Sequence, residues 1–358
     1  MEKRDFLAAC CSGDVEKVTK FLQNPQMNPN VHDHFGLTCL DSACKFEHIE
    51  IVKLLLKDER VDVRPANRYN TTSFWIACTN GHAEIAKLLL NDGRFDVNLQ
   101  ENSQGRTPFY VACEFKHVEV VKLLVNDERV DINKINSYGE TPLYIACCNG
   151  DFEIMKLLVN NKRTDVGKAS NNGTTPFWIT CGDGYTEIVK LLVNDERVDI
   201  NEPNHHNSTP FWIACQQGHI EIVKLLLNDK RIDINEPDND FQTPFWIACQ
   251  KGQLEIVKYI LASGNKVNLA SKDKKGRSPI DIARERENKK DKEGWEFEDE
   301  FQRRIENYPK IIELLESFER NPNETRFQLR IQVGLAGKIF ISFHFSYSKS
   351  LFFFFFFF

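Results

Sequence analysis

Residues 208–240, STPFWIACQQGHIEIVKLLLNDKRIDINEPDND, decide the fold, because the same pattern recurs along the chain. Thr209 can cap the free N–H groups at a helix start, and Pro210 suits the first helical turn. Phe211, Ile213, Ala214 and Cys215 supply the packed side of a short helix, and Gly218 breaks it. A second helix begins near Glu221, where the helix dipole favours an anion. Lys224 follows three residues later and can pair with Glu221 on the same face. Ile222, Leu225 and Leu226 keep the i, i+3, i+4 spacing of a buried stripe. A polar loop then leads to the next Thr-Pro.

The register is strict. The small residue before Cys falls at Ala9, Ala43, Ala77, Ala112, Ala146, Thr180, Ala214, Ala248 and Ala283, in steps of 34 or 35 residues. Nine in-register units make internal repetition the first fact about the fold. Thr-Pro recurs at Thr107-Pro108, Thr141-Pro142, Thr175-Pro176 and Thr243-Pro244, with Ser278-Pro279 as a variant. The helix-breaking Gly recurs at Gly81, Gly150, Gly184 and Gly252. Two residues before most of these Thr stands Gly or Asn: Gly36, Asn70, Gly105, Gly139, Gly173, Asn207 and Gly276. These residues tolerate positive φ in a tight turn. Phe241 holds that place in one repeat, which predicts a local distortion or an exposed aromatic there.

The segments TPFWIACQQGHIEIVKLLL and TSFWIACTNGHAEIAKLLL follow T-P-x-x-x-A-x-x-x-G-H-x-x-I-V-x-x-L-L and resemble the ankyrin repeat. The resemblance covers about residues 1–320. It implies an α-helical solenoid in which each of about nine units is a helix-turn-helix plus a β-hairpin loop. It also implies a protein-binding concave face built from hairpin tips and the exposed sides of the first helices. Three features depart from the family pattern. The unit is one residue longer, with Asp-Glu-Arg or Asp-Lys-Arg where Gly-Ala commonly closes the second helix. Trp75, Tyr110, Tyr144, Trp178, Trp212 and Trp246 stand where the family usually has His. Cys replaces the second small residue of an Ala-Ala pair.

Both ends read as capping units, which a repeat array needs because its outer repeats have one neighbour. Glu2, Lys3 and Arg4 precede the first helix, and Arg284, Glu285 and Arg286 follow Ala283. The ninth unit carries an insertion at about 287–306, containing Trp295, before NYPKIIELLESFER restores a second helix. Residues 321–358 form a tail in which NPNETRFQLRIQVGL reads as one more partial helix. The end, KIFISFHFSYSKSLFFFFFFF, holds 10 of the 27 Phe. It reads as a low-complexity or artefactual end in preference to a membrane anchor, since His344, Lys349 and several Ser dilute it.

The 358 residues carry a net charge of −6, with no basic field for nucleic acid. The N-terminus lacks an apolar signal-like stretch. The expected compartment is therefore the cytoplasm, with the nucleus as the other option. Eight of the 11 Cys, from Cys10 to Cys249, share one register. Stacked helices ~8–10 Å apart hold such thiols too far from one another for a shared zinc or a disulfide. The Cys ladder therefore reads as buried packing, and the Trp/Tyr ladder as stacking between repeats. Arg60, Arg94, Arg129, Arg163, Arg197 and Arg231 each precede an Asp by two residues, which predicts a row of exposed loop ion pairs. No nucleophile motif, phosphate-cradling Gly loop or metalloprotease motif appears. Neither an enzyme nor a cofactor or metal site is expected; the His205-His206 pair reads as loop.

The partner-binding candidates are residues that vary between repeats, because regular positions are consumed by packing. On the hairpins these are Arg68, Tyr69, Tyr138, Asn171, His205, His206, Asp238, Asp240 and Phe241. On the first helices they are Phe46, Phe115, Asp183, Gln216, Gln217, Gln250 and Lys251. The favoured function is a protein-interaction scaffold or adaptor. The alternative is the regulatory array of a larger signalling protein whose effector domain lies outside this chain.

Overall fold

A computed structural model describes residues 2–64, 67–101, 103–288 and 298–335. These fall into two compact units, residues 1–199 and 200–358. The first holds six helix pairs: α1 (Glu2–Ser12) with α2 (Val15–Gln23), α3 (Cys39–Lys45) with α4 (Ile49–Lys57), and α5 (Ser73–Asn80) with α6 (Ala83–Asp92). After these come α7 (Pro108–Glu114) with α8 (Val118–Leu124), α9 (Pro142–Cys148) with α10 (Phe152–Asn160), and α11 (Pro176–Asp183) with α12 (Thr186–Leu192). The second unit holds α13 (Pro210–Gln217) with α14 (Ile220–Leu227), α15 (Pro244–Gln250) with α16 (Leu254–Ser263), and α17 (Pro279–Asn288) with α18 (Glu298–Arg320). A last helix, α19 (Pro322–Gln332), packs on α16 and α18. Within each unit, first helices stack on first helices and second on second.

The sequence signals act as read. Thr72, Thr107, Thr141, Thr175, Thr209 and Thr243 each accept a bond from the N–H three residues on, at 3.1–3.2 Å. The Ala-Cys pairs are almost wholly buried, so small side chains let neighbouring helices approach closely. Burial holds the Cys78, Cys113, Cys147 and Cys215 thiols well above their usual pKa, which makes them inert. The loops close as hydrogen-bonded turns. The expected β-hairpins are not drawn out into strands: among the described residues the only bridge is His32 to Thr38.

Two expectations about the ladders need correcting. Where an Asp stands two residues before the Arg, the Arg pairs with that Asp and not with the one two residues later; before Arg163 the place is held by Asn161, which accepts the Arg163 backbone N–H. Arg60 meets Asp58, Arg129 meets Asp127, Arg197 meets Asp195 and Arg231 meets Asp229, at 2.6–2.7 Å. The loop turns at that Asp, which accepts the Arg backbone N–H as well. The guanidinium is thereby aimed back at the preceding repeat. Arg60 donates to the Leu22 carbonyl, Arg94 to Leu56, Arg129 to Leu90 and Arg197 to Val159. Each acceptor lies in the last turn of the preceding repeat's second helix, where carbonyls lack partners and a cation is favoured. The row is a set of clamps between repeats.

The Trp/Tyr ladder also ties repeats through its polar tips. The indole N–H groups of Trp75, Trp212 and Trp246 donate to the carbonyls of Arg106, Gln242 and Arg277. The Tyr110 and Tyr144 hydroxyls meet Glu140 and Thr174. Each partner stands just before the next repeat's capping Thr or Ser. Hydrogen bonding thus adds direction to ring burial.

A further joint lies at the helix-breaking Gly. His48, His117, Tyr185 and Gln253 each reach a carbonyl near the end of the preceding repeat's first helix. A Cβ at Gly13, Gly81, Gly150 or Gly218 would meet these side chains at 2.5–2.8 Å, and all four glycines have positive φ. Two repeats place Glu47 and Lys116 there instead, at φ near 60°. Opposite Glu47, His82 makes a longer contact of 3.3 Å to the Lys45 carbonyl and lies 3.5 Å from the Glu47 carboxylate. Opposite Lys116, the shorter Asp151 replaces the His.

The ninth repeat restores this joint after its insertion. The Tyr308 hydroxyl donates to the Gln250 carbonyl at 2.8 Å, and Asn307 donates to that of Gly252 at 2.9 Å. Trp295 and the Phe-rich end lie outside the described residues.

Candidate functional site

Each hairpin tip is four residues long, with one five-residue exception. The first residue is a turn-former: Asp33, Asn67, Asn136, Asn204, Asp238 or Asp273 accepts the N–H groups two and four residues on. The last takes positive φ: Gly36, Asn70, Gly139, Gly173, Asn207, Phe241 and Gly276 all do. The middle two face outward. In the five-residue tip, burial opposes the charge of Glu101. Hydrogen bonds from Ser103, Gln104 and Arg106 outweigh it and hold the carboxyl at about 2.

Backbone bonds join successive tips. Arg68 N–H donates to the Phe35 carbonyl, Ser137 to Gln104 and Asn171 to Tyr138 in the first unit. Asn239 donates to His206, and Lys274 to Asp240, in the second. The outward side chains therefore project from a pinned backbone.

The candidates divide by environment. In residues 1–199, Phe46, Tyr69, Phe115 and Tyr138 are 49–57% exposed, and Arg68, Asn171 and Asp183 are exposed. Phe46 and Phe115 close α3 and α7 and lie immediately before the strained Glu47 and Lys116. In residues 200–358, His205, His206, Gln217, Asp240 and Phe241 are exposed. The exposed aromatic foreseen at Phe241 is present, at φ 62°. Gln216, Asp238, Gln250 and Lys251 are half-buried. Asp238 is spent on its own turn, and Asp240 pairs with Lys274 at 3.0 Å. Phe35, 44% exposed in the second tip, was not singled out in sequence; its signal is its place two residues after the turn-former Asp33.

Among the described residues, no three His, Cys, Asp or Glu side chains gather as a metal site. No described helix is long and apolar enough to cross a membrane. Surface hollows are open: one of about 530 Å³ lies around Lys156 and Asn161, and one of about 420 Å³ lies between the tips and first helices of the second unit, lined by Asp240, Gln250, Lys274 and Arg277. What the surface offers is exposed aromatic and polar side chains on a rigid backbone, which suits recognition of another chain.

No curated protein matches the sequence. The family model described as ankyrin repeats in three copies matches residues 6–101, 93–169 and 160–238, and the single ankyrin repeat model matches 240–274. Repeats of this kind are generally protein–protein interaction modules. With well over half its length matched, the chain belongs to the ankyrin repeat family.

Proposed function

We propose that this chain is a protein-interaction scaffold or adaptor that holds its partner through hairpin tips and the ends of first helices. One observation supports this above others. In residues 1–199, the polar tips of Trp75, Tyr110 and Tyr144 are tied to the next repeat by hydrogen bonds, while Phe35, Phe46, Tyr69, Phe115 and Tyr138 stand exposed at positions that vary between copies. Two of these five precede residues held at positive φ, a cost of about 1–2 kcal/mol each for a non-Gly residue. Strain of this kind gathers at functional surfaces.

The test is alanine replacement of Phe115 and Tyr138, together and singly, in the full chain. Thermal midpoints should stay within about 2 °C, since exposed substitutions change stability little. Capture of the principal partner should fall at least fivefold. Unchanged capture by a folded double variant contradicts the proposal.

A further inference from the structure

The tips of the first unit form a row whose chemistry is uneven. Their outward residues are His34 and Phe35, Arg68 and Tyr69, Ser103 and Gln104, Ser137 and Tyr138, then Asn171 and Asn172. Phe35, Tyr69 and Tyr138 share the third place in their tips, one and then two repeats apart. None of the ten is a carboxylate, and Arg68 is exposed with no ion pair among the described residues. The carboxylates beneath the row are turned inward: Asp33 accepts two backbone N–H groups, and Glu101 is 4% exposed.

Resting on the reading above, we infer that this row binds an acidic, proline-rich segment of a partner protein in the polyproline II conformation. Spacing supports the inference. Helices of successive repeats stack ~8–10 Å apart, and one turn of polyproline II advances ~9.3 Å over three residues. Phe35, Tyr69 and Tyr138 therefore match ligand positions i, i+3 and i+9. Gln104 faces position i+6.

Hydrogen bonding points the same way. The tip backbone is engaged: Arg68, Ser137 and Asn171 N–H groups already bond the neighbouring tip. An added β-strand would find few free backbone groups there. The row instead offers side-chain donors, namely the Arg68 guanidinium, the tyrosine hydroxyls and the Gln104 amide. A proline-rich chain supplies solvated carbonyl acceptors and few N–H donors, whereas a helix keeps its carbonyls for itself. Flanking acidic residues would answer the unopposed Arg68.

The test is fluorescence polarisation with the full chain and the labelled peptide PEPPEPPEPP, beside the equally charged AEAAEAAEAA and GEGGEGGEGG. The proline peptide should bind saturably and at least tenfold tighter than either control. Tyr69→Ala and Tyr138→Ala should each weaken it at least fivefold, and Arg68→Glu likewise, at unchanged thermal midpoint. No binding, equal binding of the controls, or indifference to all three substitutions overturns the inference. If the peptide fails while Tyr138→Ala still abolishes partner capture, the ligand class is wrong and the partner surface stands.

Discussion

Single residues show where the repeat register conflicts with local chemistry. Thr164 stands where other repeats carry Val61, Val130, Val198 or Ile232. Its hydroxyl is buried without a hydrogen-bond partner. Such a group costs ~1–3 kcal/mol, so Thr164→Val should stabilise by about 1 kcal/mol, read as a rise in denaturation midpoint at unchanged slope. Phe241→Gly should also stabilise, by up to about 1 kcal/mol, because φ near 62° disfavours a bulky side chain. A drop in midpoint for either variant would show that the side chain contributes contacts beyond those described. Phe241 was legible because a rule had one exception. Phe35 holds the same tip place as Tyr69 and Tyr138, so its signal was equally present in the sequence and was passed over.

At the scale of elements, the joints between repeats carry the account. Thr-Pro starts, Gly stops and the Ala-Cys stripe were legible, because each acts within about ten residues. The reach of His117 to the Thr79 carbonyl spans 38 positions, beyond any local pattern. The direction of the Arg pairs was misread for another reason: Asp lies on both sides of every ladder Arg except Arg163, and only the turn decides between them. Gly81→Ala should destabilise by about 2 kcal/mol, since its Cβ would meet the His117 ring at 2.5 Å and φ is +77°. His117→Asp should soften that cost, as Asp151 does opposite Lys116. A double-mutant cycle should show coupling of at least ~0.5 kcal/mol, and strict additivity would refute the joint. Arg197→Ala should cost about 1–2 kcal/mol through lost bonds to carbonyls. The ion pair adds little of that, because the guanidinium is well exposed. Hydrogen bonds from the Arg residues hold the Asp58, Asp127, Asp195 and Asp229 carboxyls below their usual range. The unfolded chain then binds more protons in acid, so these groups stabilise fully above about pH 4 and lose that effect as pH falls through their lowered values. The thermal midpoint should decline on acidification below about pH 4. An Arg197→Ala chain should show a shallower decline.

For the whole molecule, regularity and function separate. Positions that repeat are consumed by stacking within each unit: small residues in the first helices, Arg clamps, ring hydrogen bonds and His-to-carbonyl joints. The proposed function rests on positions that vary between copies, and the sequence named most of these by comparing copies with one another. It could not say which were free, because that depends on partners a repeat away, as with Asp238 in its turn or Asp240 beside Lys274. The central claim is that exposed aromatics at positions that vary between repeats bind a partner protein and contribute little to the fold. Its most direct test compares partner capture by the full chain with that of a variant carrying Phe46→Ala, Tyr69→Ala, Phe115→Ala and Tyr138→Ala, each read by mass spectrometry beside a thermal melt. The account predicts a melt within a few degrees of the parent and loss of the proteins that the parent enriches. An unchanged set of captured proteins, from a variant that melts like the parent, would contradict it.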